Sequence, residues 1–309
     1  MGFNRIAKLL RIPIGHLRAK YWRLRHSDFL FVFNWHQISP NFDSTYHHEY
    51  TWTRFEDFSV EVDYLRAEFQ ILPLYEAIDR FKRGRLHGAC VSLTFDDGDI
   101  SMAEHVLPYM RQHNLPATFF INSAYLDGKR TYWFPVLAYF SANEEARRQA
   151  NLPAGLLGKA LQIRGTTDVS FYNEVRSCVE QFASFIPNLG SRLVSTEWLS
   201  SLDGEQFAIG AHGHEHQRFS MMSADWQRND LRENVRHLSQ FRAYRPVFAV
   251  PFGRACDWTE ETIRFAHDQN LEVVLADGGV NIASAPFYRR IPSDGKQLRK
   301  LIVTAMAGR

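Results

Sequence analysis

The sequence of 309 residues predicts an α/β fold with parallel strands, of the (β/α) barrel kind. Short apolar segments alternate with longer segments of helical spacing from residue 28 onward. Polar side chains directly follow several apolar segments, and in such a barrel these positions share the catalytic rim. The composition, 45% hydrophobic and 23% charged, is that of a globular chain with one large core.

The elements follow in order along the chain. Strands are predicted at 29–33, 90–95, 117–121, 207–210, 247–250 and 272–275, and helices at 54–72, 102–113, 225–241 and 259–270. Asp257 or Thr259 is the candidate cap of the last helix. The stretch 127–200 is the least regular and is predicted to be an insertion over the barrel. Since no linker divides the chain, residues 28–309 are predicted to form one domain.

Residues 1–27 are predicted to be a basic amphipathic arm. Residues 1–26 contain seven Lys or Arg and no acid, interleaved with apolar side chains, whereas the rest of the chain has 29 basic and 34 acidic residues. Such a segment suits an anionic membrane surface, the alternative being a solvated arm packed on the domain. Nucleic acid is not an expected partner, because the remainder has no positive excess.

Cysteine content and the N-terminal sequence bear on the compartment. The three cysteines are far apart and form no CxxC pair, which argues against a disulfide framework or a thiolate zinc site. The N-terminus lacks the apolar segment of a secretory signal. We therefore expect a cytoplasmic location, including a peripheral position at the inner face of the membrane.

Two motifs contain the candidate chemistry. Thr-Phe-Asp-Asp-Gly at 94–98 places two adjacent carboxylates, Asp96 and Asp97, directly after a strand. One can bind a cation while the other faces substrate as an ionised base. The alternative is an Asp-Asp-Gly surface turn. His-Gly-His-Glu-His at 212–216 follows another strand, and the spacing of His212 and His216 suits two ligands of one metal ion. Together the motifs indicate metal-assisted hydrolysis.

These motifs resemble those of the polysaccharide deacetylase family, which has the NodB-homology or carbohydrate esterase 4 fold. The resemblance implies a distorted (β/α) barrel of about seven strands. The first motif is intact, and the second matches His-(Ser/Thr)-x-x-His with Gly213 at the hydroxyl position. The resemblance implies that Asp96 is the general base and that Asp97, His212 and His216 bind the metal. Zn²⁺ suits one Asp and two His, and Fe²⁺, Co²⁺ or Mn²⁺ are alternatives.

Further candidates come from the third motif and its departures from the family pattern. Pro251, Phe252 and Gly253 match its Pro-aromatic-Gly motif and, with Arg254 and Asp277, are the predicted substrate-binding residues. The family often has an Arg that holds the base where this chain has Ala249, so Arg254 is the candidate replacement. Arg289 or Arg290 is a candidate for binding an anionic group of the substrate.

The late Leu-x-His motif, which supplies the general acid in the family, is missing. His36 in Asn-Trp-His-Gln-Ile at 34–38 is the candidate replacement, because it resembles a Tyr-His-x-(Ile/Val) segment of the bacterial surface-polysaccharide branch. A buried structural histidine is the alternative. Asp277 is the candidate residue for orienting His36.

The resulting hypothesis is a metal-dependent hydrolase that removes an N-acetyl or other N-acyl group from an amino sugar. Its substrate would be a bacterial surface glycan or the lipid-linked precursor. The alternatives are an inactive glycan-binding protein on the same fold and a deacylase of a non-polysaccharide amide. A two-histidine, one-carboxylate iron oxygenase is disfavoured, because its carboxylate usually lies two residues from the first histidine.

Overall fold

The computed structural model describes residues 28–47, 49–163, 166–282 and 285–293. The predicted arm at 1–27 lies outside the described residues, so its membrane contact stays a prediction. Among the described helices, none combines the length and the apolar character that crossing a bilayer requires.

Parallel strands form the centre of the domain. Their bounds are β1 Leu30–Trp35, β2 Gln37–Ser39, β3 Trp52–Arg54, β4 Gln70–Ile71, β5 Cys90–Phe95, β6 Ala117–Ile121, β7 Phe207–Ala211, β8 Tyr244–Ala249, β9 Glu272–Leu275, β10 Tyr288–Arg289 and β11 Ile291–Pro292. In the main sheet the order is β10-β9-β8-β7-β6-β5-β1-β11, and β4 also pairs with β5. Eight strands in this order form a nearly closed parallel barrel, which confirms the predicted fold class. β2 and β3 form a separate small sheet.

The two ends of the barrel sheet meet at a single residue. β10 pairs with β9 at one end, and β11 pairs with β1 at the other. Only Arg290 separates β10 from β11, and its backbone N–H donates to the Leu275 carbonyl at 2.7 Å. The Arg290 side chain is only 1% exposed, so it projects into the buried interior where the sheet closes.

The strand interiors are apolar, as expected for parallel strands covered on both faces. All residues of β1, β5, β6 and β7 are buried. The predicted bounds of three strands, 90–95, 117–121 and 272–275, agree with the observed ones. The two-residue strands β10 and β11 were not predicted, because they are too short to show periodicity.

The helices are α1 Phe55–Glu68, α2 Leu74–Lys82, α3 Leu107–Gln112, α4 Trp133–Ala142, α5 Glu144–Gln149, α6 Leu156–Gln162, α7 Val169–Glu180, α8 Thr196–Ser200, α9 Ala224–Leu238 and α10 Glu260–Asp268. The predicted helix at 102–113 contains a π-helical turn, Met102–Val106, before α3. Thr259 rather than Asp257 is the cap of α10, and it forms a capping box with Thr262.

The stretch 127–200 differs from the predicted irregular insertion, because it contains helices α4 to α8. Residues of α4 to α7, including Trp133, Phe140 and Tyr172, share a small apolar core separate from the main one. Phe252 of the predicted substrate-binding motif packs against that core. The insertion is therefore a helical subdomain that lies against the predicted site.

Candidate metal centre and active site

The register of the barrel brings the predicted site residues together. β1 and β5 pair with Trp35 opposite Phe95, so His36 and Asp96 follow on adjacent strands. β6 and β7 pair with Ile121 opposite Ala211, which places His212 at the same edge. Since the carboxyl ends of parallel strands share one face of the barrel, residues over 100 positions apart converge there.

Asp97, His212 and His216 form one cluster. Nε2 of His212 lies 3.3 Å from Asp97 Oδ1, and Nε2 of His216 lies 3.2 Å from the same oxygen. One ligand atom from each of the three residues lies within 4.8 Å of the other two. His212 and His216 are 1% and 4% exposed, so the cluster is shielded from solvent.

The polar contacts of this cluster fit a divalent cation. Asp97 Oδ1 is buried and has no hydrogen-bond partner, although two imidazoles face it. Nδ1 of His212 lies 2.7 Å from the Ala249 carbonyl, an arrangement that leaves Nε2 free to act as a ligand. One carboxylate and two imidazoles are a donor set that binds zinc and related metals.

Backbone strain is concentrated at this cluster. Asp97 has φ +75° and His216 has φ +48°, a region that non-glycine residues seldom occupy. Phe252, whose ring centroid lies 4.8 Å from that of His216, has φ +61°. Such strain persists only where surrounding contacts enforce it, and it clusters at functional sites.

Several contacts hold the ligand segments in place. The Tyr132 hydroxyl lies 2.6 Å from the Asp97 carbonyl oxygen, and Asn122 donates to the carbonyl oxygens of His212 and Gly213. Gly253 has φ +70°, and a Cβ there would lie 2.5 Å from the Ala276 nitrogen. Tyr132 belongs to the insertion, so sequence reasoning had no reason to place it at the site.

Asp96 is separate from this cluster and is held by Arg290. Nη1 and Nη2 of Arg290 donate to Oδ1 and Oδ2 of Asp96 at 2.6 and 2.8 Å. Asn34 donates to Oδ2 at 3.2 Å, and both Asp96 and Asn34 are buried. Such bidentate, charge-assisted pairs are the strong class of hydrogen bond. Arg290 therefore binds Asp96, whereas the sequence suggested it as a candidate for binding an anionic group of the substrate.

The electrostatics keep both carboxyls ionised. Burial raises the pKa of Asp96, but the charges of Arg290, His212 and His36 lower it more, so it lies below its ordinary value. The pKa of Asp97 lies well below its ordinary value, because His216 and His212 outweigh the effect of burial. Burial lowers the pKa of His216, which favours the neutral imidazole that binds metal.

His36 also lies near Asp96. Its Nε2 is 3.8 Å from Asp96 Oδ2, and its side chain is 27% exposed. The same Asp96 oxygen is 3.8 Å from His212 Nε2. A partly exposed imidazole beside a buried carboxylate can exchange protons with solvent.

Two sequence predictions about neighbouring residues differ from the structure. Arg254 is exposed and uses its backbone N–H to contact Asp257, whereas Arg290 holds Asp96. Asp277 is paired with Arg289 at 3.6 Å, and the structure shows no contact in which it orients His36. Pro251 is buried beside Gly213, and Phe252 packs on His216.

A small cavity of about 30 Å³, open to solvent, adjoins Asp97. Its walls come from the segment around β2 and β3, including Gln37, Tyr46 and Thr51, and from the insertion, including Phe134, Leu189 and Arg192. The two walls touch, since the Tyr46 hydroxyl donates to the Pro187 carbonyl at 3.0 Å and Arg192 lies over the Tyr46 ring. Most of the exposed lining is apolar, and Asp97 contributes a carboxylate to it.

The deciding comparison is with protein families. Residues 83–274, more than half of the chain, match the polysaccharide deacetylase family. The chain belongs to the polysaccharide deacetylase family. The matched stretch includes Asp96, Asp97, His212 and His216, but it excludes His36 and Arg290.

Several solved structures share the fold of this member of the polysaccharide deacetylase family. The Streptococcus pyogenes deacetylase PplD, solved in complex with acetate, is 14% identical, with a TM-score of 0.57 over 90% of this chain and 98% of that chain. IcaB from Ammonifex degensii is 17% identical, with a TM-score of 0.55 over 91% of this chain and 98% of that chain. The BpsB deacetylase domain from Bordetella bronchiseptica is 14% identical, with a TM-score of 0.53 over 85% and 95%. No protein of curated function matches the sequence.

Proposed function

We propose that this chain is a metal-dependent hydrolase that removes the N-acetyl group from an amino sugar of a bacterial surface polysaccharide or its lipid-linked precursor. The observation that carries the proposal is the pairing of two separate centres. Asp97, His212 and His216 offer three ligand atoms within 4.8 Å of one another, and Asp96 stands beside them as a second, independently held carboxylate. Family membership and the fold shared with proteins named as deacetylases support it.

The metal would be held by Asp97, His212 and His216, with Zn²⁺ as the first choice and Fe²⁺, Co²⁺ or Mn²⁺ as alternatives. When bound, such a cation polarises a carbonyl oxygen and lowers the pKa of water. The partnerless Asp97 oxygen and the two histidine Nε2 atoms that face it suit this charge.

Asp96 is the proposed general base. Its low pKa keeps it ionised at neutral pH, and it accepts the proton of the attacking water. Arg290 occupies both carboxylate oxygens in the plane of the pair, and Asn34 adds a donor to Oδ2. These contacts leave Asp96 little rotational freedom, so the base is fixed before substrate binds.

His36 is the proposed general acid. Hydrolysis of an amide requires a proton on the departing nitrogen, and a protonated imidazole can donate one. His36 lies 3.8 Å from Asp96 and is partly exposed, so it can regain its proton from solvent after each turnover. The amine and acetate are then released.

The small, open cavity beside Asp97 is the proposed site for the acyl group, and the sugar ring would lie over its opening. Its aromatic and apolar walls, including Tyr46, Phe134 and Leu189, suit the apolar face of a sugar ring and an acetyl methyl group. Gln37 and Asp99 supply polar groups in the same cavity. Because one wall belongs to the helical insertion, the insertion would determine which sugars fit.

We expect purified protein to contain about one equivalent of divalent metal, lost in the Asp97→Ala and His212→Ala variants. Each substitution removes one of three protein ligands, so affinity falls with it. Elemental analysis of protein prepared without a chelating tag measures the content. An assay of acetate release from N-acetylglucosamine oligomers then tests the reaction.

The exposed Asp225, with 86% of its side chain accessible, provides a matched control as Asp225→Ala. It should keep both metal and activity. Protein that binds no metal even after reloading with zinc or cobalt would contradict the hydrolase. The glycan-binding alternative would then be tested by binding of the same oligomers.

His36→Gln is expected to lower kcat by about 10²–10⁴-fold, the usual contribution of a positioned acid, while metal content stays unchanged. An activated acetyl ester, whose leaving group needs no proton, should be hydrolysed nearly normally by the variant. The check compares kcat on the amide and on the ester. Equal losses on both substrates would contradict the general-acid role.

A further inference from the structure

The loop that contains the two proposed histidine ligands is hydrogen-bonded to the buried face of α9. Asp230 and Asn234 lie one helical turn apart on this helix, and they are 5% and 0% exposed. Both side chains point toward residues 212–216 and hydrogen-bond their backbone. Neither residue belongs to a recognised motif of the sequence.

The contacts cover most of the loop. Asp230 Oδ2 accepts from the His214 N–H at 2.8 Å, and Oδ1 accepts from the Glu215 N–H at 2.9 Å. Asn234 Oδ1 accepts from the His212 N–H at 2.9 Å. Side chains of α9 therefore accept hydrogen bonds from three backbone N–H groups in the segment from His212 to His216.

Gly213 fits the same arrangement. It has φ +75°, and a Cβ at this position would lie 3.0 Å from Asp230 Oδ2. A Cβ at 3.0 Å would be closer to this carboxylate than an ordinary van der Waals contact, and the positive φ strains any side chain there. Glycine at this position is therefore compatible with the contacts of Asp230 to the loop.

We propose that Asp230 is a positioning residue that sets the spacing of His212 and His216 for metal binding. This inference rests on the proposed metal site. His216 adopts φ +48°, a conformation that needs enforcement from outside the residue. Removing Asp230 would leave the N–H groups of His214 and Glu215 without acceptors in a largely buried loop, and the loop would rearrange to satisfy them.

The test compares Asp230→Ala, Asp230→Asn and the exposed control Asp225→Asn on the full chain. The measurement is the dissociation constant for Zn²⁺ by competition with a chelating dye, alongside the Tm of the metal-free protein. We expect Asp230→Ala to raise the dissociation constant about 10–100-fold, the usual effect of losing a partner that orients a ligand. Asp230→Asn should lie between it and wild type, because the amide keeps one acceptor oxygen. The control should match wild type.

The outcomes separate three interpretations. A lower Tm with an unchanged dissociation constant in Asp230→Ala would make Asp230 merely structural and would overturn the inference. If Asp230→Ala does not fold, wild-type affinity in Asp230→Asn would overturn it instead. Wild-type protein that binds no Zn²⁺ would overturn the proposed function itself. Wild type and Asp230→Ala that bind Zn²⁺ with equal affinity would overturn only the role of Asp230, so the two failures are distinguishable.

Discussion

Asp96→Asn should reduce kcat for amide hydrolysis by about 10²–10⁴-fold while the metal content stays at one equivalent. The variant removes the proposed base but none of the three proposed metal ligands. Asn is nearly isosteric with Asp, so its oxygen can still accept from Arg290, and the fold should persist. Acetate release and elemental analysis on the same preparation measure the two effects.

The same variant distinguishes the hydrolase from an inactive glycan-binding protein. Asp225→Asn is the matched control, since it makes the same chemical change at an exposed carboxylate. A hydrolase loses turnover only in Asp96→Asn. A binding protein shows no turnover in the parent and the same oligomer affinity in both variants. Turnover unchanged in Asp96→Asn would remove Asp96 from the mechanism.

The cluster of proposed ligands was accessible to sequence reasoning because its residues lie directly after long, buried strands. Apolar runs such as 90–95 and 207–211 are recognisable locally, and parallel strands place the residues that follow them at one edge. Trp35 pairs with Phe95, so even the proximity of His36 to Asp96 follows from strand register. Short-range patterns thus determine this part of the site.

Arg290 was not assigned correctly because its place depends on closure of the whole barrel. It stands between two strands of two residues each, which pair with opposite ends of the sheet. No local pattern distinguishes Arg290, which is buried, from Arg289, which pairs with Asp277 at the surface. Arg254, the nearer candidate in sequence, is exposed because it lies beyond the turn at Gly253.

The helices of the predicted insertion and the contacts of α9 were not predicted, for a related reason. Residues 127–200 bury their apolar side chains in a separate core of short helices, so no long periodic segment marks them. Asp230 has the sequence context of an ordinary polar helix residue, and only the packing of α9 against the histidine loop identifies its contacts. Tertiary context decides the function of both.

Replacement of Arg290 is the remaining change with a large expected effect, because it removes one member of a buried ion pair. Arg290→Met should destabilise the protein by about 3–5 kcal/mol, since it leaves the buried Asp96 without its main counter-charge. Arg289→Met is the matched control, because Arg289 is the adjacent arginine with 53% of its side chain exposed. Urea unfolding of the metal-free proteins measures the difference.

The pH dependence of this effect has a definite sign. Although burial raises the pKa of Asp96, Arg290 and the nearby histidines hold it below the unfolded value of about 3.9. The stability that the pair contributes is therefore complete above that value, and it is lost as the pH falls through the pKa of the folded state. The gap in stability between wild type and Arg290→Met should narrow in acid, whereas the gap for Arg289→Met should stay small throughout.

Activity provides the second measurement. In Arg290→Lys, which keeps a charge but loses the two-point contact, the pKa of Asp96 should rise toward its ordinary value or above it. A general base works only when ionised, so the acid limb of kcat/KM should move to higher pH. A uniform loss of activity at all pH values, with the limb unmoved, would show that Arg290 supports the fold without tuning the base.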